Sequence, residues 1–522
     1  MLTEPSSTDL LPEPPGVLGL GNVRKAVTDV VPLLRFRGAM LRGRSRRAAG
    51  LGMAVILAMT IASTVAPALI RSRPFPSSEV ALILPTTYLS VLVISVVSAI
   101  AAGGGRELLN REHALAFPVS PVTDHLGALI MAPLNIAWLL QIWSMLGVTA
   151  YVVGPSPWLV VAQIPVLAWV LVATSVAQVL AWGVEWVRRG PRGVLLVRLL
   201  ALCSIGLLAW LIVTDRLVNL LDNSPTLAIA LAVLAGARGD LVPWLVVVVE
   251  LFCVAAGAVV CGALLNIAVS RRAPHEELRQ ETSTRRSRRH PASDLEAVIR
   301  IDRASIWRSV PLRRGLSVLS IMPGLVALAT GLSWDMICLL PGLVASGGTL
   351  LFGVNVFCLD GRGALWRDSL PVHPRLLFGS RVLVLAEVLA SAIGITLALG
   401  SFRAGPPSAS QLAAVLSASL VATLQVLSGS LRWSVRRPYA VDLRGARATP
   451  APPLVMVGYS TRLALASTTT GLLFAATSMA PWWWSLVFAT PLAAISLWRL
   501  TRVAREWSDP LVRGRVVATV AS

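Results

Sequence analysis

The sequence predicts an all-α polytopic membrane protein of about twelve transmembrane helices, arranged as two parallel six-helix repeats with amphipathic interfacial helices. Three observations lead there. The 522 residues are 55% hydrophobic and only 14% charged, with a mean hydropathy of +0.73. A soluble chain of this length cannot bury so much apolar surface, so lipid must solvate much of it. The chain also divides into apolar stretches that each suit a bilayer core, which takes about 20 residues of helix. Finally, the basic residues fall in alternate loops.

The stretches lie near residues 49–70, 80–103, 127–152, 158–183, 194–214, 242–269, 315–333, 337–358, 382–401, 411–430, 456–479 and 484–500. Stretches 315–333 and 337–358 are close enough to force a tight hairpin, and the last is the shortest. With the N-terminus placed in the cytoplasm, 40 of the 46 basic residues fall in loops and tails on that side. The opposite loops hold Arg71, Arg73, Arg216, Arg238 and Arg403, and Arg462 falls near the start of the eleventh stretch. Cytoplasmic loops retain positive charge during insertion, which implies a multi-pass protein of the inner (plasma) membrane with both termini cytoplasmic.

Four segments follow. Residues 1–19 are Pro-rich and acidic, lack the order of a signal peptide, and read as a disordered cytoplasmic tail. Residues 20–270 form a first six-span half, 271–293 a basic cytoplasmic linker, and 294–522 a second half. The net charge of +20 does not imply a nucleic-acid partner: Lys25 is the sole lysine, and the linker's arginines alternate with acids without a reader motif. Facing a lipid bilayer is the better account of them.

No catalytic or metal-binding pattern stands out. Cys203, Cys253, Cys261, Cys338 and Cys358 lie in apolar stretches without CxxC spacing and read as small core residues. His113, His125, His275, His290 and His373 fall in expected cytoplasmic segments without a ligand partner one helical turn away. Trp182, Trp186, Trp433 and Trp482 to Trp484 sit at span ends, where an aromatic belt is expected.

A long-period repeat is visible. Pro118-Val119-Ser120-Pro121 and Pro371-Val372-His373-Pro374 lie 253 residues apart, each between the second and third spans of a half. Each follows a mixed-charge stretch containing Arg111 and Glu112, or Arg367 and Asp368. Residues 22–47 and 294–314 are both basic and end in a double Arg before a span. Val27, Val30, Val31 and Leu34, and approximately Val298, Ile301 and Ile306, recur at helical spacing, as in helices lying along the headgroup plane; an ordinary positive flank is the simpler alternative. Six crossings per half keep the topology of the two halves the same, giving a pseudo-two-fold axis along the membrane normal.

In these two loops the sequence resembles the permease subunit of type-2 ABC exporters. In that family an amphipathic helix precedes six spans, and a coupling helix between spans two and three ends in Leu-x-x-x-Pro-Val-Ser. Arg111, Glu112, Leu115, Pro118, Val119 and Ser120 match that pattern; Arg367, Asp368, Leu370, Pro371 and Val372 match it more loosely, with His373 replacing the hydroxyl residue. The resemblance implies that these residues contact separate ABC ATPase subunits and that the chain is a transport subunit, not an enzyme. It needs no cofactor of its own, ATP being held by the partner. It also implies short external helices between spans five and six, for which residues 215–241 are suited; the second half has only a turn at Pro481–Trp484. The sequence has no GxxxxGK[ST] phosphate loop.

The rival reading is an ion-coupled secondary transporter, with Glu250 and Glu387 as intramembrane acids facing the bundle interior or an interface. Either acid costs about 2.5–3.5 kcal/mol at a helix centre in lipid. A membrane scaffold or integral enzyme has no supporting cluster of residues.

Overall fold

The computed structural model describes residues 28–33, 35, 44–70, 76–101, 120–132, 136–222, 224–272, 290–351, 353–440 and 453–521. Among them all regular structure is helical. The first part comprises α1 (Arg44–Val65), α2 (Ser77–Leu82), α3 (Leu84–Ala101), α4 (Pro121–Met131), α5 (Ile136–Val153), α6 (Leu159–Arg188) and α7 (Gly193–Val213). Then come α8 (Arg216–Asp222), α9 (Thr226–Arg238) and α10 (Leu241–Ser270). The second part comprises α11 (Asp294–Arg308), α12 (Val310–Thr330), α13 (Trp334–Ile337), α14 (Leu340–Leu351), α15 (Gly363–Asp368) and α16 (Pro374–Gly400). It closes with α17 (Ala409–Arg436), α18 (Pro453–Thr477), α19 (Trp483–Ser508) and α20 (Pro510–Ala521).

Among the described residues eight helices are long and apolar enough to cross a bilayer, in α1, α6, α7, α10, α12, α16, α17 and α19. Shorter apolar helices lie in α3, α5, α9, α13–α14 and the later part of α18. Lipid offers no hydrogen bonds, so each segment must satisfy its backbone internally, which a helix does. The outward faces match: α7 exposes Leu195, Leu199, Leu202 and Leu207. This is a multi-pass helical membrane protein.

The packing has a recurring order. In the first part α6 lies along α10, α3 packs on α6, and α1 on α5; in the second, α17 lies along α19, α14 packs on α17, and α12 on α16. Tyr88, Met145, Leu146 and Val166 centre one core, and Val356, Leu385, Leu389 and Leu431 another. The two parts meet where Leu325 and Leu328 of α12 pack on Ile212 of α7, and Arg403 pairs with Asp215 at 2.9 Å. The segment 215–241 forms two short helices, α8 and α9, with Ile229 and Val233 buried.

Several sequence expectations need correction. The stretch 337–358 is α-helical only to Leu351; beyond it Gly353–Leu359 winds more tightly, broken at Asn355 (φ −146°, ψ 76°). A freed backbone group is met from elsewhere, Val356 N–H donating to Ser434 Oγ at 2.9 Å, and the Asn355 side chain donates from Nδ2 to the Tyr439 carbonyl at 2.6 Å. The tail 499–522 is not loop, because α19 runs to Ser508 and α20 follows a sharp turn at Asp509. Cys203, Cys253 and Cys261 face outward, leaving only Cys338 and Cys358 buried. Trp182 is buried too, donating from Nε1 to Nδ1 of the buried His125 at 3.2 Å. Gly262 makes room for that imidazole, which would lie 2.4 Å from any Cβ there.

Candidate functional site

The loop between α14 and α16 is built around a turn at Gly361 (φ +48°), a conformation that suits a residue without Cβ. Asp360 O accepts from Gly363 N–H at 2.8 Å, and α15 begins there. α15 has only six residues, too few to be stable alone, so its neighbours must hold it. Ala364 and Arg367 turn inward, while Leu365 and Trp366 are 58% and 60% exposed. Pro371 then separates α15 from α16, and Pro374 opens α16. His373 Nδ1 accepts from Arg375 N–H at 3.2 Å, capping α16. Ser120, at the same place in the first Pro-Val-x-Pro element, caps α4 by accepting from Thr123 N–H at 3.1 Å.

Behind α15 lies a buried cluster of four charges. Arg367 donates to Asp302 in two prongs, at 2.5 and 3.1 Å, and to Asp360 at 3.1 Å. Arg381 grips both oxygens of Asp360 at 2.7 Å and lies 3.2 Å from Asp302. Ser380 Oγ donates to Asp302 at 2.7 Å. Asp302 is 0% and Arg381 1% exposed. Two acids and two guanidiniums balance, as buried charges must. Nε and Nη1 of Arg381 are buried without a hydrogen-bond partner among the described residues.

Local structure explains how the charges meet. In α11, Val298, Asp302 and Ile306 recur every four residues on the buried stripe, so the acid is delivered along with the apolar face. Ser293 starts that helix by accepting from Glu296 N–H at 3.2 Å. Burial pushes the Asp302 carboxyl up, but Arg381, Arg367 and Ser380 outweigh it and hold the group below its usual range. The cluster thus joins α11, α15, α16 and the turn at Asp360.

The sequence-derived candidates are distributed unevenly. Arg111, Glu112, Leu115, Pro118 and Val119 lie outside the described residues. Arg367 is buried in the cluster, so it is not an exposed contact residue, because two carboxylates draw its guanidinium inward. Asp368 is half-buried and pairs with Arg513 of α20 at 2.8 Å. Leu370 and Val372 are half-buried and Pro371 is exposed. Glu387 does not face the bundle interior; it is exposed on α16 and pairs with Arg303 of α11 at 2.8 Å. Glu250 is exposed on α10 and meets no hydrogen-bond or ion-pair partner among the described residues.

Asp302, Ser380 and Arg381 belong to no motif in the sequence, and Asp360 stands there only as the first residue of the second loop. One signal was present: Asp302 interrupts an otherwise apolar stripe on α11. No protein-family model, curated protein or solved structure matches the chain.

Proposed function

We propose that the chain is the membrane subunit of an ABC transporter of the exporting type, forming the substrate path and driven by separate ATPase subunits at its cytoplasmic face. In this reading it makes twelve crossings in two parallel six-span halves of the inner membrane, with both termini cytoplasmic. The observation that carries the reading is α15: a short helix between the apolar helices α14 and α16, pinned from behind by a buried ion cluster and presenting Leu365 and Trp366 outward. A rigid projection of this kind suits transmission of force from a docked subunit.

Two further observations support it. The helix pairings recur, with fourth span on sixth, second on fourth and first on third in each half. Ser120 and His373 also cap the helices that follow the two Pro-Val-x-Pro elements. The secondary-transporter alternative gains nothing from Glu250 and Glu387, since both side chains lie on outward surfaces.

The test is purification of the chain from its native membrane in mild detergent. Co-purification of a subunit that binds and hydrolyses ATP is expected. A chain that transports without such a subunit, and stops when the proton gradient collapses, would overturn the proposal.

A further inference from the structure

The residues after the last long helix fold back onto the loop. α20 lies against α15, the winding at Gly353–Leu359 and the end of α19. Val516, Val517 and Val520 occupy one face of α20 and are buried, and with Phe357, Ala364 and Trp507 they line a narrow cavity behind α15. Arg513, one turn earlier, donates from Nε to Asp368 Oδ1 at 2.8 Å. Trp507, in the last turn of α19, stacks on Phe357 with ring centres 4.4 Å apart and planes 3° from parallel.

These contacts are confined to one side of α15. They cover Ala364 and engage Asp368, while Leu365 and Trp366 stay open. A six-residue helix has no stable shape of its own, so its direction is set by what grips it. The ion cluster grips one flank and α20 grips another.

We propose that α20 is a clasp that fixes the direction of α15 and ties it to α19, so that the outward pair Leu365 and Trp366 moves with the last long helix. The clasp does not depend on the permease reading; only the statement that this pair meets an ATPase rests on it.

Hydrogen exchange in detergent, followed in peptides covering residues 360–372, tests the clasp. The set is the full chain, a chain ending at Asp509, Asp368→Arg, Arg513→Glu, and the double swap. Truncation is expected to speed exchange in 360–372 at least tenfold and to leave peptides of α10 unchanged. Each single reversal should also speed it, and the double swap should restore protection. Exchange at the parent rate in the truncated chain, or a double swap no better protected than its singles, would overturn the clasp. Should the truncated chain fail to insert, the three reversal variants decide alone. Loss of protection with full retention of the ATPase subunit would keep the clasp and count against α15 as the docking element, whereas absence of any such subunit from the parent chain would count against the permease reading alone.

Discussion

Asp302 and Arg367 stand 65 positions apart and meet in a two-pronged buried ion pair, Oδ1 to Nη1 at 2.5 Å and Oδ2 to Nη2 at 3.1 Å. The pair fastens α11, which precedes the long apolar helix α12, to a short helix between the apolar helices α14 and α16. Such pairs add little net stability, since desolvation offsets attraction, but losing one member leaves a charge stranded in a dry site.

Asp302→Ala should therefore destabilise the second part by about 3–5 kcal/mol. Adding Arg367→Met should recover part of the loss, because Asp360 and Arg381 then remain as a balanced pair. Denaturant or thermal unfolding in detergent measures both. A double variant as unstable as the summed singles would show that the four groups do not act as one cluster.

The same carboxyl predicts a pH dependence. Asp302 is held below its usual range in the fold by Arg381, Arg367 and Ser380 against the opposing effect of burial. A depressed folded value contributes stability above the unfolded value, about 3.9, and that contribution is lost as pH falls through the folded value. From neutrality to about pH 5 this contribution should be constant, and below about pH 4 it should decline. Asp302→Asn, less stable at neutral pH, should lose less on acidification. Equal acid slopes for parent and variant would rule the carboxyl out.

Glu250 and Glu387 should behave differently from each other. Glu250 is exposed on an apolar helix, where a charge costs about 2.5–3.5 kcal/mol on insertion scales, so Glu250→Leu should raise the insertion efficiency of α10. Glu387 pairs with Arg303 of α11, a helix whose pattern places it along the headgroup plane, where water reaches it, so Glu387→Gln should shift stability by less than about 1 kcal/mol. Insertion assays and unfolding curves measure these. Transport by Glu250→Gln and Glu387→Gln variants should survive collapse of the proton gradient while ATP is present; complete dependence of the unaltered protein on that gradient would favour the ion-coupled secondary transporter.

Membrane character was legible because lipid leaves its mark on composition and on the placement of arginine. The early end of α14 was not, since Ser434, which accepts from the freed Val356 N–H, and Tyr439, whose carbonyl holds the Asn355 side chain, come from about 80 residues later. α20 carries too short an apolar pattern to stand out. For the site, the Pro-Val-x-Pro spacing revealed the loop and its helix stop. It did not reveal which side of α15 faces inward, because that follows from Asp302 and Arg381. Arg381 reads in the sequence as one more loop charge, yet it is among the most buried side chains.

The contact face of α15 gives the last prediction. Trp366 and Leu365 are exposed and carry no described structural contact that the fold needs, whereas Arg367 beside them is buried among carboxylates. Exposed substitutions away from caps and networks usually change stability by no more than about 0.5 kcal/mol, so Trp366→Ala should melt with the parent. Truncating a central tryptophan at an interface commonly costs 2 kcal/mol or more, about thirtyfold in affinity. Binding of the ATPase subunit to the chain in nanodiscs should weaken to about that extent for Trp366→Ala, and less for Leu365→Ala. Arg367→Ala should show the opposite emphasis, with a lowered melting temperature as its first effect. Unchanged affinity for both Trp366→Ala and Leu365→Ala would remove α15 as the docking element. A melting loss for Trp366→Ala equal to that of Arg367→Ala would show instead that the tryptophan serves the fold.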